Sequence, residues 1–203
     1  TGKNTGGMGA YSPSRLISDE LNDKILNKII KPTLKGLSEM GTIYKGFLYA
    51  GLMIINDEPY LIEYNVRMGD PECQTILPRL CTDLLEIFIS CIHEKLNQIE
   101  IKWTTKKSLC VVLCSKGYPD EYEKNVEITN LNKLYFNDCN FLFHAGTKLF
   151  NDKIFAVGGR VLNFTSLSDY FFKARENIHK NLSKLEWNKG FYRKDIAHKV
   201  MEK

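Results

Sequence analysis

Residues 46–66 read GFLYAGLMIINDEPYLIEYNV. A strand-length apolar run, a cluster of turn formers (Asn56-Asp57-Glu58-Pro59) and a second strand-like run leave few options: the two runs return on one another as an antiparallel hairpin. The first run is apolar throughout, the pattern of a buried strand. The second differs from Glu63 onward, where LIEYNVR places Glu63, Asn65 and Arg67 at every second position. Alternate residues of a strand share a face. These three polar groups are therefore expected to point together, with Tyr64 and Val66 pointing the other way. Because the partner run is apolar, a lined cleft accounts for the pattern better than a wet surface.

The chemistry of the triplet suits a metal at one end and a polyphosphate at the other. Magnesium takes hard oxygen ligands, keeps several waters and binds substrate phosphates. A carboxylate and a carboxamide offer two such oxygens with a single negative charge. A second acid at 65 would repel a phosphate by about 4 kcal/mol at about 4 Å and an effective dielectric near 20. Arg67 adds a forked donor that matches phosphate oxygens and stays charged. The run 46–55 carries no acid, so a further anchoring carboxylate would come from elsewhere, with Glu72 the candidate. Gly69-Asp70-Pro71-Glu72 then turns the chain. Gly69 permits a turn that other residues resist, Pro71 suits the first turn of a helix, and Asp70 and Glu72 fall where a helix dipole favours acids. Helix capping and recognition of a cationic amine are compatible readings of Asp70.

The chain has 203 residues, of which 43% are hydrophobic and 26% charged, with a formal net charge of +4. That length suffices for one domain or two small ones with a real core. The charge suits a protein that handles anions but is too dispersed to argue for nucleic acid. Six cysteines lack CxxC pairing; Cys91 and Cys110 read as small buried hydrophobes, and the set points to a reducing cytoplasm rather than a disulfide or zinc framework. No apolar run is long enough to span a membrane.

Around the hairpin, residues 1–17 read as a glycine-rich loop. A helix begins at Ser18, is kinked or divided at Pro32 and stops at Gly41. A helical stretch from Pro71 to Leu96 is interrupted near Pro78. Residues 108–115 (SLCVVLCS) are a buried strand turned by GYP. Short strands are expected near 125–129 and 140–145, a long hairpin over 148–166 with its turn at Asn151-Asp152, and a last helix capped by Ser168 with Phe171, Ile178, Leu182 and Leu185 inward. The fold class is α+β, with a boundary near 102/103: mixed α and β before it, mostly antiparallel β with a terminal helix after it.

Five blocks, NTGGMGAYSP (4–13), GFLYAGLMI (46–54), IEYNVRMGDPE (62–72), FHAGT (143–147) and GGRVL (158–162), together resemble the phosphoribosylamine–glycine ligase family, the glycinamide ribonucleotide synthetases of the ATP-grasp superfamily. The resemblance implies that residues 1–102 are the later part of the ATP-grasp core, an antiparallel sheet with helices, and 103–203 the family's C-terminal domain. It implies a cytoplasmic enzyme of purine biosynthesis acting on ATP, glycine and 5-phosphoribosylamine through glycyl phosphate, with no nucleic-acid or membrane partner; the sequence does not fix the oligomeric state, and a monomer is the favoured reading. On it, Glu63 and Asn65 hold Mg²⁺ or Mn²⁺, Arg67 steadies the transferring phosphoryl group, and Asp70 and Glu72 face the acceptor substrates. Gly7 and Gly9 become part of a substrate wall, and Arg160 a group within reach of the ribose phosphate. Arg160 reads equally as an exposed side chain at a strand bulge, and His144 as a hydrogen-bonded structural residue. The family's N-terminal and lid regions have no counterpart in the 203 residues, so the chain is expected to be a C-terminal half that alone neither binds ATP tightly nor turns over. The competing readings are another ATP-grasp carboxylate–amine ligase and a non-catalytic interaction module derived from the same fold.

Overall fold

The computed structural model describes residue 3 and residues 5–201. Asn4, read above as part of the glycine loop, lies outside them. The chain forms two compact units, one of Thr1–Pro13, Asp70–Arg79 and Thr104–Lys203, the other of Ser14–Gly69 and Leu80–Trp103. Compactness thus divides the chain at several points, whereas the expected boundary at 102/103 follows sequence order.

The first unit is built on an antiparallel sheet of β1 (Gly9–Ser12), β4 (Lys107–Ser115), β9 (Arg160–Ser168) and β6 (Asn140–His144), in the order β1-β4-β9-β6, with β10 (Gly190–Phe191) also pairing β4. The glycine-rich segment is therefore only partly loop: its second half is a strand, with Gly9 opposite Val111 and Ser12 opposite Ser108. β4 and β9 are buried almost end to end because both faces are covered. On one face Leu109, Val111, Leu113, Leu162 and Phe164 meet Phe171, Ala174, Ile178, Leu182 and Leu185 of helix α5 (Phe171–Leu185). On the other face lies the short helix α3 (Glu72–Ile76), whose Thr75 sits beside the Cys110 thiol.

Two expectations fail in this unit. Ser168 does not cap α5; it is the last residue of β9, the helix cap is Tyr170, and no side chain bonds there. Nor is 148–166 one hairpin. β7 (Thr147–Phe150) and β8 (Lys153–Ala156) turn at Asn151-Asp152, both with positive φ, and join β5 (Val126–Glu127) in a separate three-stranded sheet. The chain crosses to the main sheet at 157–159, where the N–H groups of Val157 and Gly158 both donate to the Gly146 carbonyl.

In the second unit Ser18 caps α1 (Asp19–Ile25) through its hydroxyl, 3.1 Å from the Leu21 amide. The helical path changes character at Pro32, which stands in the first turn of a new α segment. A wider π-helical stretch, Leu26–Ile30, precedes α2 (Lys31–Glu39) and passes the chain around the missing proline N–H, while the Thr33 hydroxyl donates to the Ile29 carbonyl at 2.8 Å. The helix stops at Gly41, φ 82°, with the Thr42 amide returning to the Leu37 carbonyl.

The hairpin forms as expected from β2 (Tyr49–Ile55) and β3 (Glu58–Asn65), though its turn is only Asn56-Asp57, both left-handed, and Glu58 and Pro59 belong to β3. β2 is not a buried strand. Met53 and Ile55 are about half exposed, because the sheet has only two strands. Helix α4 (Leu84–Ile92) is capped by the Asp83 carboxylate and likewise exposes Leu85, Ile89 and Ile92; Cys91 on it is only half-buried.

Candidate functional site

The predicted site residues fall into two groups, one in each unit. In the second unit β3 carries one extra residue, since Gly51 pairs with Glu63 while Leu52 pairs with Leu61. Beyond this bulge at Ile62, Glu63 and Asn65 keep the i, i+2 relation and share a face: the Asn65 amide nitrogen donates to Glu63 Oε1 at 3.1 Å. Tyr64 points the other way, as expected, and bonds Thr33 and the Ile29 carbonyl. Arg67 departs from the expected alternation. β3 ends at Asn65, Arg67 lies in the following bend, and its guanidinium donates to the Met68 carbonyl at 2.9 Å.

Gly51 is a residue the sequence reading passed over. A Cβ there would lie 3.0 Å from Glu63 Cγ, so the missing side chain is what lets Glu63 lie across β2. A glycine inside an apolar strand was the available signal. Glu63 and Asn65 suit a hard divalent cation: half a turn of the carboxamide replaces the donor by an oxygen beside a carboxylate, leaving the remaining positions to phosphates and water. Among the described residues no cluster of three or more His, Cys, Asp or Glu side chains forms a dedicated metal cage.

In the first unit the glycine loop, the turn before α3 and the start of β9 meet. Arg160 is the tie: its Nη1 donates to the Asp70 carbonyl at 2.7 Å and the Gly7 carbonyl at 3.2 Å, and its Nη2 to Asp70 Oδ2 at 3.0 Å. It stands at the start of β9 opposite Cys114, just before a register shift. The bulge reading was thus right about position, and its exposed arginine was not: the Arg160 side chain is 25% exposed. Gly7 is required by close approach, since a Cβ would lie 2.4 Å from Pro71 Cδ. Gly9 is committed to pairing in β1, and its Cβ would meet Ile196 and the Cys110 carbonyl. Its requirement is packing against the sheet.

Pro71 occupies the N-cap of α3, one position earlier than expected, with Asp70 before it and Glu72 in the first turn. Asp70 also accepts from Gln74 Nε2 at 3.1 Å, so the carboxylate expected to meet an amine already holds an arginine and a carboxamide. The sequence reading also missed Tyr118, whose hydroxyl accepts the Gly6 amide at 3.1 Å; GYP had carried only a turn signal. His144 bonds Thr147 through Nδ1 at 3.0 Å, in keeping with a structural role. The thiols of Cys110 and Cys114 are each pushed up to about 12 by burial, so both stay protonated, and all six cysteines are free.

The phosphoribosylglycinamide synthetase ATP-grasp (A) domain model matches residues 1–73 and the C domain model of the same family matches 108–199. The phosphoribosylamine–glycine ligase of Brucella melitensis is 41% identical over 203 residues, all of this chain and 48% of that protein. The crystal structure of phosphoribosylamine–glycine ligase from Thermotoga maritima superposes with a TM-score of 0.80 at 34% identity, covering 97% of this chain and 48% of that one. The biotin carboxylase domain of Hydrogenobacter thermophilus 2-oxoglutarate carboxylase, solved with MgADP and bicarbonate, shares the fold at TM-score 0.64 and 14% identity, over 91% of this chain and 40% of that one. The chain spans about half the length of the curated relatives it matches. With the A-domain match carrying Glu63, Asn65, Arg67 and Asp70 and the C-domain match carrying Arg160, the chain belongs to the phosphoribosylglycinamide synthetase family.

Proposed function

We propose that this chain forms part of a ligase that joins glycine to 5-phosphoribosylamine at the expense of ATP, giving glycinamide ribonucleotide, ADP and phosphate. The reading is carried by 41% identity along the whole chain to a phosphoribosylamine–glycine ligase. The glycine carboxylate attacks the γ-phosphorus of ATP and displaces ADP. The amine of phosphoribosylamine then attacks the glycyl phosphate carbonyl, expels phosphate and loses a proton to water. Residues 1–102 act as the later part of the ATP-grasp core and 103–203 as the C-terminal domain. The setting is a reducing cytoplasm, which suits six free thiols, and the enzyme acts as a monomer.

Glu63 and Asn65 would hold Mg²⁺ or Mn²⁺, which when bound offsets the charge of the nucleotide phosphates. Arg67 exchanges its bond to the Met68 carbonyl for oxygens of the transferring phosphoryl group, where most of the catalytic work is electrostatic. Gly6 and Gly7 present a loop backbone with no Cβ at a substrate edge. Arg160, Asp70 and Glu72 form the wall that meets the acceptor, and the hydrogen bonds Arg160 makes to Asp70 and Gly7 set the shape of that wall.

The test is ADP release that requires both glycine and phosphoribosylamine, in a protein carrying this sequence together with the remaining length its relatives have. Glu63→Ala should abolish it. Release supported by another amine acceptor would move the assignment to a different ATP-grasp ligase, and no release at all would favour a binding module.

A further inference from the structure

The sheet face that carries Arg160 has a polar lining that the proposed reaction does not use. Thr165 pairs with Cys110 of β4 and Phe141 of β6, and Asn163 with Val112 and Phe143, so Asn163, Thr165 and their partners lie on one face. Ser108 belongs to the same face by alternation along β4. Thr75 of α3 sits on this face beside Cys110 and Thr165. Asn163, Thr165 and Ser108 are at most 1% exposed.

Five buried side-chain atoms on this face and on α3 lack an oxygen or nitrogen hydrogen-bond partner among the described residues: both carboxamide atoms of Asn163, the Ser108 hydroxyl, Gln74 Oε1, and the Thr165 hydroxyl, which has only the Cys110 thiol beside it. Each has less than 1 Å² of accessible surface. Native interiors rarely leave such groups unpaired, because burial removes the water bonds they would otherwise make. The set mixes donors and acceptors: one two-hydrogen donor, two pure acceptors and two hydroxyls able to do both. It carries no net charge, so it calls for neither an anion nor a cation, and it is too enclosed for an organic ligand.

We propose that ordered water occupies the layer between α3 and the sheet face bearing Ser108, Asn163 and Thr165, and that it bridges this face to Gln74 on the helix. Water is the one small molecule that donates and accepts in every direction and needs only two to four polar partners. The layer has a mechanical consequence. Gln74 Nε2 holds Asp70, and Asp70 is held by Arg160, which shares the face with Asn163. A five-residue helix makes little hydrogen-bonded structure of its own. Its hold on the sheet, and with it the position of Asp70, depends on these bridges.

Three measurements on this chain test the proposal. In a crystal structure at atomic resolution, ordered water should lie within about 3.2 Å of at least two of the Asn163 carboxamide, the Thr165 hydroxyl and the Ser108 hydroxyl. In solution, the Asn163 side-chain amide protons should show cross-relaxation with a long-lived water. A dry layer in which these groups pair directly with one another would overturn the proposal. In Asn163→Leu, amide exchange over Glu72–Ile76 should quicken by about tenfold or more while α5 exchanges as before. Unchanged exchange in α3 would refute the bridging role. Should that variant fail to fold, Ser108→Ala, a smaller deletion, should remove water beside position 108; an unaltered water network there would count equally against the layer.

Discussion

Arg160 makes its three contacts with a side chain one-quarter exposed, against a carboxylate almost half exposed. Ion pairs so open to solvent contribute only about 0–1 kcal/mol to stability, so the value of this one lies in geometry. It fixes the glycine loop and the turn before α3 in one arrangement. Arg160→Lys keeps the charge but loses the fork. Amide exchange over 5–8 and 69–72 is expected to rise with little change in the unfolding midpoint; a large loss of stability would show that the arginine is a folding element. Gly7→Ala probes the same contact from the other side, since its Cβ would strike Pro71. On the proposed reaction, in a protein of the relatives' full length, it should raise the KM for phosphoribosylamine more than it lowers kcat. At the pair proposed to hold a divalent cation, Gly51→Ala should weaken any manganese binding by crowding Glu63, which manganese-induced relaxation enhancement of water would report; wild-type binding would separate Gly51 from the proposed site.

At the scale of elements, α5 and the main sheet hold the core of the first unit. Phe171 is 1% exposed and meets Tyr11 edge-to-face at 5.5 Å, so Phe171→Ala should cost about 3–5 kcal/mol in denaturant unfolding. In the second unit, Glu58 at the start of β3 accepts ion pairs from Lys24 and Lys28, at 2.8 and 2.6 Å. Hydrogen bonds from these two amines lower its pKa from 4.5 to about 2. A carboxylate with a depressed native pKa stabilises the fold above about pH 4.5 and loses that contribution as the pH falls toward 2. Glu58→Gln should therefore flatten the acid side of the unit's stability profile between those values while leaving the slope above pH 5 unchanged; an unaltered acid slope would place the sensitivity elsewhere. The cap of α5 was misread because a local signal, the serine at 168, was outweighed by the path the chain takes in three dimensions.

For the molecule as a whole, the second unit exposes apolar side chains on β2, β3 and α4, whereas the first is covered on both sheet faces. Family-model matches to an A domain and a C domain, together with a span of about half the relatives' length, describe a chain carrying only part of the family's machinery. Titration of this chain with MgATP should accordingly show no micromolar binding. Micromolar affinity would mean that these 203 residues hold a complete nucleotide site.

Much of this was written in local residue chemistry. Alternation at Glu63 and Asn65, a hairpin turn beginning at Asn56, the Ser18 and Gly41 caps and the apolar core of β4 each depend on neighbours a few residues away, and the sequence alone determined them. Long-range closure decided the rest. Arg160 meets Asp70 across 90 residues and Gly7 across 153; β9 leaves β8 for another sheet; a glycine is required at 7 because a proline at 71 stands against it. No local period encodes such contacts, because they come from chain segments brought together only when the sheet closes.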